Sequence, residues 1–133
     1  MIQFHLTFEP GIPIHEQVTF AAKKAMVSGQ LRPGDTFPSV RVLSKALKIN
    51  PNTAHKVVMQ LTLEGLLEVR PGIGTAVARR PISSRTERRR LLFREVEQLT
   101  VEAKKLGLGL EELQRTIAEH WKQLDYKETK EKA

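Results

Sequence analysis

The stretch KINPNTAHKVVMQL, residues 48–61, carries two stripes of side chains with the same helical spacing. One stripe is apolar and consists of Ala54, Val57, Val58 and Leu61. The other is mostly polar and consists of Asn52, His55, Lys56 and Met59. An Asn amide can make two hydrogen bonds to an adenine edge, and His and Lys can donate to guanine or to phosphate. The polar stripe therefore favours a face that reads nucleic acid, against the alternative of an ordinary solvated surface.

The beginning of this stretch supports that interpretation. Asn50 and Pro51 are typical of the cap and the first position of a helix, and the unpaired N–H groups at such an end attract anions. Neighbouring segments supply arginines for phosphates: Arg41 before the stretch, Arg70 beside a glycine-rich turn, and the run RRPISSRTERRR at 79–90. Because phosphate contacts set the register while base contacts choose the sequence, this layout predicts a DNA-reading face.

Some of these residues have a second interpretation. Arg41 could pair with an acidic neighbour, although the basic context favours a phosphate. Thr53 lies between the two stripes and suits packing and a phosphate bond equally well. Gly72 and Gly74 are required by the turn whatever the turn contacts.

The charge of the chain favours a polyanionic partner, with nucleic acid ahead of an acidic membrane surface. The 133 residues carry a formal charge of +7 and a sequence pI near 10.0, although charge alone is weak evidence. Residues 1–78 hold eight basic and five acidic side chains, and residues 79–90 hold six and one. Residues 91–133 hold eight basic and nine acidic side chains, so this last segment is expected to have another role.

Several classes of function are disfavoured by what the sequence lacks. The chain has no cysteine, which excludes disulfides, thiolate metal sites and a cysteine nucleophile. The four histidines show no metal-ligand spacing, and Ser83-Ser84 has no acid/base partner nearby, so we expect no metal, no cofactor and no enzyme. Without a membrane-length apolar run or a signal peptide, a soluble cytoplasmic protein is the default expectation.

Local patterns predict a mainly α-helical N-terminal domain at 1–78. Residues 2–8 alternate as a short strand or an extended arm, a helix follows Pro13 and ends at Gly29, and another follows Ser39 with Val40, Leu43 and Leu47 as its buried side. The helix capped by Asn50 runs to about Glu64, and LLEV and TAVA are short strands around RPGIG. Three helices followed by a small β-hairpin, the wing, make a winged helix-turn-helix. In that fold the third helix is expected to enter the major groove.

The remainder of the chain predicts a helical appendage. Residues 79–86 form a basic linker by composition, and a long helix begins at about Glu87. Its apolar residues repeat as a heptad seam, Gly107 and Gly109 break it, and an amphipathic helix follows to about residue 126. The charged residues 127–133 are expected to be disordered.

The stretch SGQLRPGDTFPSVRVLSKALKINPNTAHKVVMQLTLEGLLEVRPGIGTAVA, residues 28–78, closely resembles the N-terminal domain of the GntR family of bacterial transcription regulators. The G-x-L-x-P-G-D, P-S-x-R-x-L and L-x-x-E-G-L patterns and the glycine wing carry the resemblance. The NPNT helix start and the short two-helix tail resemble the YtrA subgroup, whose C-terminal region mediates dimerisation. That subgroup implies a repressor.

The resemblance also implies which residues contact DNA. They are Ser39, Arg41, Asn50, Asn52, Thr53, His55, Lys56, Arg70, Gly72 and Gly74. Several relatives carry arginines where this chain has Pro51 and His55, so a different operator is expected. Ala76 replaces an aromatic residue common after the wing threonine, which leaves the packing of the wing an open question.

The tail predicts a homodimer. One winged helix reads only a few base pairs, and a two-fold dimer places two recognition helices about 34 Å apart. Burying each Leu, Ile or Val is worth about 1.5–3 kcal/mol, and two helices alone cannot bury both stripes; folding back on the N-terminal domain is the competing explanation. The expected interface residues are Leu92, Val96, Leu99, Ala103, Leu106, Leu113, Ile117 and Trp121.

The leading hypothesis is therefore a homodimeric repressor that binds a double-stranded DNA operator. A tail of about 45 residues is too short to enclose a sizeable pocket, and an effector between its helices is left open. The rival from another class is a winged-helix module for protein–protein assembly with incidental charge. RNA binding is disfavoured because no aromatic stacking platform is present.

Overall fold

The computed structural model describes residues 6–79 and 84–125. The chain divides into two compact units, and within the described residues these are an N-terminal unit at 6–79 and a C-terminal unit at 84–125. The expectations for Ile2, Phe4, the middle of the linker at 80–83 and the charged tail at 127–133 lie outside the described residues.

The first helix, α1 (Ile14–Ser28), begins after Pro13 and ends at Gly29, which adopts a left-handed φ of 87°. The Gln17 side chain connects the N-terminal end of α1 to the preceding segment. The Gln17 amide oxygen accepts from the Glu9 N–H at 2.8 Å, and the amide nitrogen donates to the Glu9 carbonyl at 2.9 Å. Residues 6–9 are not part of a strand, so over its described part the segment is an extended arm. Two apolar side chains of this arm, Leu6 and Phe8, pack against the core.

The second and third helices, α2 (Val40–Leu47) and α3 (Pro51–Leu63), are joined by a three-residue turn that hydrogen bonds hold on both sides. Lys48 ends α2 with a left-handed φ of 55°. The Ser44 hydroxyl donates to the Ile49 carbonyl at 2.7 Å, and the Asn50 side chain accepts from the Asn52 N–H at 2.7 Å. These local bonds set the angle at which α3 leaves α2.

The core of the N-terminal unit lies where α1, α2, α3 and the hairpin meet. Each helix turns one apolar stripe inward, as expected for the 3.6-residue period, and the segment between α1 and α2 contributes two large side chains. The buried apolar residues are Val18, Ala22, Ala25, Leu31, Phe37, Leu43, Ala54, Val57, Leu61, Leu67 and Val77.

The hairpin consists of β1 (Leu67–Arg70) and β2 (Gly74–Val77), paired antiparallel with Leu67 opposite Val77 and Arg70 opposite Gly74. Each strand lies within one residue of its predicted position. The turn from Arg70 to Ile73 is type II, with Pro71 second and Gly72 third at φ 77°, and the Ile73 N–H donates to the Arg70 carbonyl at 3.1 Å. The pairing register of β1 and β2 follows from this turn, because strand propensity alone does not specify a register.

The C-terminal unit contains one long helix and one shorter helix. The long helix consists of α4 (Arg85–Arg90), a π-helical turn (Leu91–Glu95) and α5 (Val96–Lys105), and it is followed by α6 (Leu110–Gln123). Gly107 adopts a φ of 75° between them, in agreement with the predicted break at Gly107 and Gly109.

Two predictions about this unit were wrong in detail. The helix begins at Arg85, two residues earlier than expected, because Ser84 is its cap and accepts from the Glu87 N–H at 3.1 Å. Residues 85–86 therefore belong to the helix and not to a linker. The seam expected to run regularly from Leu92 is interrupted at its start, because a π-helical turn has i→i+5 bonds that change the spacing of its side chains.

Candidate nucleic-acid interface

The two stripes predicted for α3 lie on opposite sides of the helix. Ala54, Val57 and Leu61 are 0% exposed because they pack into the core of the N-terminal unit. The polar stripe is exposed along its whole length and consists of Asn52, His55, Lys56 and Met59. Thr53 is half-buried between the stripes, which agrees with its intermediate predicted position. The burial of one side therefore fixes the other side toward solvent.

The N-terminal end of α3 combines a structural cap with hydrogen-bond donors. The Asn50 side-chain oxygen accepts from the Asn52 N–H at 2.7 Å, and Pro51 occupies the first turn where no N–H is required. The Asn50 amide nitrogen donates no hydrogen bond to any described residue. Asn50 is exposed, so this nitrogen and the end of the helix are accessible to an anion or a base edge.

The start of α2 carries an exposed cation. Ser39 caps α2, because its hydroxyl oxygen accepts from the Val42 N–H at 3.2 Å. Arg41 follows in the first turn, is exposed and makes no ion pair with a described residue. The alternative in which Arg41 is held by an acidic neighbour therefore has no support within residues 6–79 and 84–125.

The Arg70 side chain of the wing has an acidic partner. The Arg70 guanidinium contacts the Glu68 carboxylate at 2.9 Å through Nη2 and at 3.3 Å through Nε. The Arg70 side chain is only 24% exposed. An arginine expected to meet phosphate thus neutralises an acid two residues away on the same side of β1, a pairing that the i, i+2 spacing of a strand allows.

The two wing glycines and Ala76 have separable roles. Gly72 and Gly74 are exposed with φ values of 77° and 109°, which a side chain would strain, although a Cβ there would meet no neighbouring atom within 4 Å. Ala76 is buried, lies opposite Glu68 and is bridged to Thr36. A small residue therefore fits at this position, which answers the question that the missing aromatic residue raised.

One part of the site was missed by local patterns. Residues 34–37 were interpreted only as following a turn, but they pair with the outer side of β2. The Gly34 N–H donates to the Val77 carbonyl at 2.9 Å, and the Phe37 N–H donates to the Thr75 carbonyl at 2.8 Å. Because the partners are about 40 residues apart in sequence, no short-range signal could have revealed the pairing.

The C-terminal unit exposes most of the residues predicted for a dimer interface. Within one chain the exposed members are Leu92, Val96, Leu99, Leu106, Ile117 and Trp121. Leu113 is half-buried. Ala103 is buried inside its own chain, next to the turn in which the Leu108 N–H donates to the Ala103 carbonyl at 2.9 Å. The prediction of Ala103 as an interface residue is therefore wrong, since only 5% of this residue is exposed within its own chain.

No described group of three or more His, Asp or Glu side chains could hold a metal ion. In the described part of the chain, no helix combines the length and the apolar character needed to span a bilayer.

The fold and the surface define a class of protein: a winged helix-turn-helix regulator with an exposed polar face on its third helix and a separate helical unit after the wing. The chain belongs to the gntR family of bacterial regulatory proteins, whose sequence model matches residues 15–77. It is 34% identical over 108 residues to the HTH-type transcriptional repressor YtrA of Bacillus subtilis (strain 168), covering 80% of this chain and 83% of that protein.

Solved structures agree with this assignment. YtrA from Sulfolobus acidocaldarius, described as a GntR-family transcription factor, superposes with a TM-score of 0.57 at 26% identity, over 72% of this chain and 99% of that one. A protein from Listeria monocytogenes EGD-e described as a transcriptional antiterminator shares the fold, with a TM-score of 0.84 and 23% identity over 96% of this chain and 98% of that one.

These comparisons confirm the GntR and YtrA-like resemblance and the fold class predicted from sequence. The chain is a bacterial transcription regulator of the GntR family, and nothing in the comparisons favours the protein–protein assembly module.

Proposed function

We propose that this regulator is a homodimeric repressor that reads a two-fold symmetric DNA operator through the polar face of α3. The observation that carries the proposal is the division of α3 into two sides. The apolar stripe is buried at Ala54, Val57 and Leu61 and half-buried at Val58, whereas the polar stripe is exposed along its whole length. A helix held in this way keeps its outward side chains in a fixed register, and fixed register is what base recognition in the major groove requires.

The side chains divide into two roles. Asn52, His55 and Lys56 lie on the exposed face of α3 and carry the donors and acceptors that match base edges. Arg41 is exposed and unpaired within the described residues, and it holds a phosphate. Asn50, Ser39 and Thr53 add polar contacts near the start of α3, and the basic segment at 79–90 adds further phosphate contacts.

Dimerisation follows from the apolar side chains of the C-terminal unit. Burying each large aliphatic side chain is worth about 1.5–3 kcal/mol, so contact with a second copy would be strongly favoured. The exposed residues that support this are Leu92, Val96, Leu99, Leu106, Ile117 and Trp121. A two-fold dimer presents two copies of α3 to half-sites about 34 Å apart.

Repression is the simplest outcome of this arrangement, because a dimer bound across a promoter blocks access to it. A relative that is 34% identical is described as a transcriptional repressor. The regulator would act in the bacterial cytoplasm, where the chromosome lies. A small-molecule effector would have to bind without a large dedicated domain, since the C-terminal unit has about 40 residues.

The decisive experiment is selection of bound duplexes from a random pool, followed by affinity measurement on the selected duplex and on a scrambled duplex at the same salt concentration. We expect a two-fold symmetric consensus and a preference above about 10³. Equal affinity for the two duplexes would show that the protein binds DNA by charge attraction alone, and would refute sequence-specific repression. A control protein with Asn52, His55 and Lys56 all replaced by Ala should bind both duplexes alike.

A further inference from the structure

The chain leaves the N-terminal unit at the end of β2, and three backbone hydrogen bonds hold it there. The Gly34 N–H donates to the Val77 carbonyl at 2.9 Å, and the Val77 N–H donates to the Asp35 carbonyl at 2.8 Å. One residue later, the Ala78 N–H donates to the Leu66 carbonyl at 2.9 Å. Two different segments of the N-terminal unit therefore fix the backbone as far as Ala78.

Two of these bonds come from the RPGD turn, residues 32–35. The Asp35 N–H donates to the Arg32 carbonyl at 2.9 Å, and the Asp35 carboxylate accepts from the Arg32 N–H at 2.8 Å. Pro33 followed by Gly34 at a φ of 91° is typical of a type II turn. Because both its backbone and a side chain close it, the turn is a fixed partner for the end of β2.

The Arg79 side chain extends this contact by one residue. A Cβ added to Gly34 would lie 3.4 Å from Arg79 Nε and 3.9 Å from Arg79 Nη2, so the guanidinium lies beside the space that a side chain at position 34 would fill. Arg79 makes no ion pair with a described residue, and its contact with the turn is one of packing. We call residues 32–35 together with Arg79 the exit clamp.

The exit clamp determines how far the connector to the C-terminal unit can reach. Five residue steps lead from Arg79 to Ser84, the cap of α4, so these two residues can lie at most about 18 Å apart. Without the clamp the connector would begin at Val77, and seven steps would allow about 25 Å. The difference of about 7 Å equals the rise of about two base pairs of duplex DNA.

We propose that the exit clamp sets the distance between operator half-sites that the regulator accepts. In a homodimer two connectors join the two copies of α3, and binding of the second half-site adds affinity only where the connectors can span the distance. A shorter reach therefore admits fewer spacings. Arg79 is a positioning residue in this arrangement, and phosphate contacts come from the arginines that follow it. This inference rests on the proposed homodimer and its operator binding.

The test uses the full-length protein and a series of duplexes that carry the selected half-sites with the spacer changed by one or two base pairs. We expect a two-base-pair change to cost the parent protein about tenfold in affinity and Arg79→Ala only about threefold, because the released residue lengthens the connector. Affinity for a single half-site and the salt slope should be the same for both proteins. Arg79 is exposed, so the unfolding temperature should not change.

Arg85→Ala is the control for charge, because Arg85 is exposed on α4 beyond the connector. This change should weaken binding to every spacer by the same factor and lower the salt slope by about 0.9. If Arg79→Ala behaved in the same way, Arg79 would hold a phosphate and its assignment as a positioning residue would be overturned.

Gly34→Ala tests the same contact from the turn, because the added Cβ would press on the Arg79 guanidinium. Its matched control is Gly11→Ala, since Gly11 has a φ of 88° and a Cβ there would meet no atom within 4 Å. Both changes should lower the unfolding temperature through backbone strain, but only Gly34→Ala should broaden the range of spacers bound. Adding Arg79→Ala to Gly34→Ala should broaden that range no further. A broader range in Gly11→Ala would attribute the effect to lost stability and would contradict the clamp.

The outcomes separate this inference from the proposed function. A parent protein that prefers no duplex refutes operator reading, and the inference with it. A parent protein that prefers the selected half-sites but binds every spacer equally well refutes the clamp alone. The same holds if Arg79→Ala leaves the preference among spacers unchanged.

Discussion

Lys23 Nζ lies 2.6 Å from Glu64 Oε1, which joins the middle of α1 to the residue that ends α3. The other carboxylate oxygen, Glu64 Oε2, accepts from Gln60 Nε2 at 2.7 Å. The C-terminal end of α3 is thus tied to α1, while the exposed polar face begins near its other end. This pair therefore links the end of α3 to α1.

The pair predicts a pH-dependent contribution to stability. Partial burial by itself raises the pKa of Glu64, but the hydrogen bonds from Lys23 and Gln60 and the Lys23 charge outweigh it and hold the pKa below its ordinary value. The unfolded state, with a Glu pKa of about 4.3, therefore binds more protons, so stability rises with pH in this window. The contribution is complete above that pKa and is lost as pH falls through the lower folded value.

Glu64→Gln measures this contribution. Both side chains are about one-third exposed, at 38% and 33%, so solvent screening limits the loss at pH 7 to about 0.5 kcal/mol. Urea unfolding of parent and variant should show that difference at pH 7 and a smaller one at pH 3. A difference of the same size at both pH values would mean that packing, and not the charge of Glu64, stabilises the end of α3.

Thr19 offers a stabilising substitution. Its side-chain oxygen is buried in α1 and finds no hydrogen-bond partner in the part of the chain that the structure describes. Thr19→Val keeps the shape and removes the unsatisfied hydroxyl, so we expect unfolding to become about 1 kcal/mol less favourable. Thr62→Val is the control, because the Thr62 hydroxyl donates to the Val58 carbonyl at 2.7 Å and is exposed. Equal effects of the two changes would contradict the prediction.

Asn50 has a structural role that can be separated from DNA contact. Asn50→Ala removes the cap of α3 and should cost about 1 kcal/mol of stability. Asn50→Ser keeps an oxygen for the Asn52 N–H and should restore the stability, but it lacks the amide nitrogen proposed to meet DNA. We therefore expect denaturation curves of Asn50→Ser to match the parent while operator affinity stays reduced. Full recovery of both would leave Asn50 as a cap alone.

Substitutions of base-reading residues and of phosphate-holding residues should have different effects on DNA affinity. Asn52→Ala and His55→Ala should each cost about 1–3 kcal/mol on the base pair that the residue contacts and little elsewhere. Arg41→Ala should weaken all duplexes and reduce the salt slope by about 0.9. Competition binding with single-base operator variants measures both patterns. If Arg41→Ala altered preference at one position only, the assigned roles would be reversed.

The dimer interface can be tested on one helix with its own control. Leu99 belongs to the seam, whereas Val101 lies two residues further and therefore about 200° around α5. Both are exposed within one chain. Sedimentation should show Leu99→Asp shifted toward monomer and Val101→Asp unchanged. A dimer that survives Leu99→Asp would place the contact on another face.

Local signals predicted α3 almost completely. Asn50 and Pro51 mark its start, Gly65 follows its end, and a 3.6-residue period separates its two faces. Each signal acts within one or two turns of the chain, so it is readable without knowledge of the fold. The same holds for Gly29 after α1 and for Gly107 between α5 and α6.

The surroundings of Arg70 and Ala103 were not predicted. Arg70 was expected at a phosphate, and in the structure its guanidinium pairs with Glu68, two residues away on the same strand. Ala103 was expected at a dimer seam, yet it is buried within its own chain. The π-helical turn at Leu91–Glu95 has no signature in an apolar repeat.

The sequence by itself determined which helices form, where α1, α2 and α3 begin and end, and which side of α3 is polar, because backbone capping and side-chain periodicity are properties of neighbouring residues. Only the tertiary structure decided that residues 34–37 pair with β2 and that Val69 and Ile73 remain exposed on the wing. Those outcomes depend on which distant segments come together to exclude water, and that is a property of the whole packed unit.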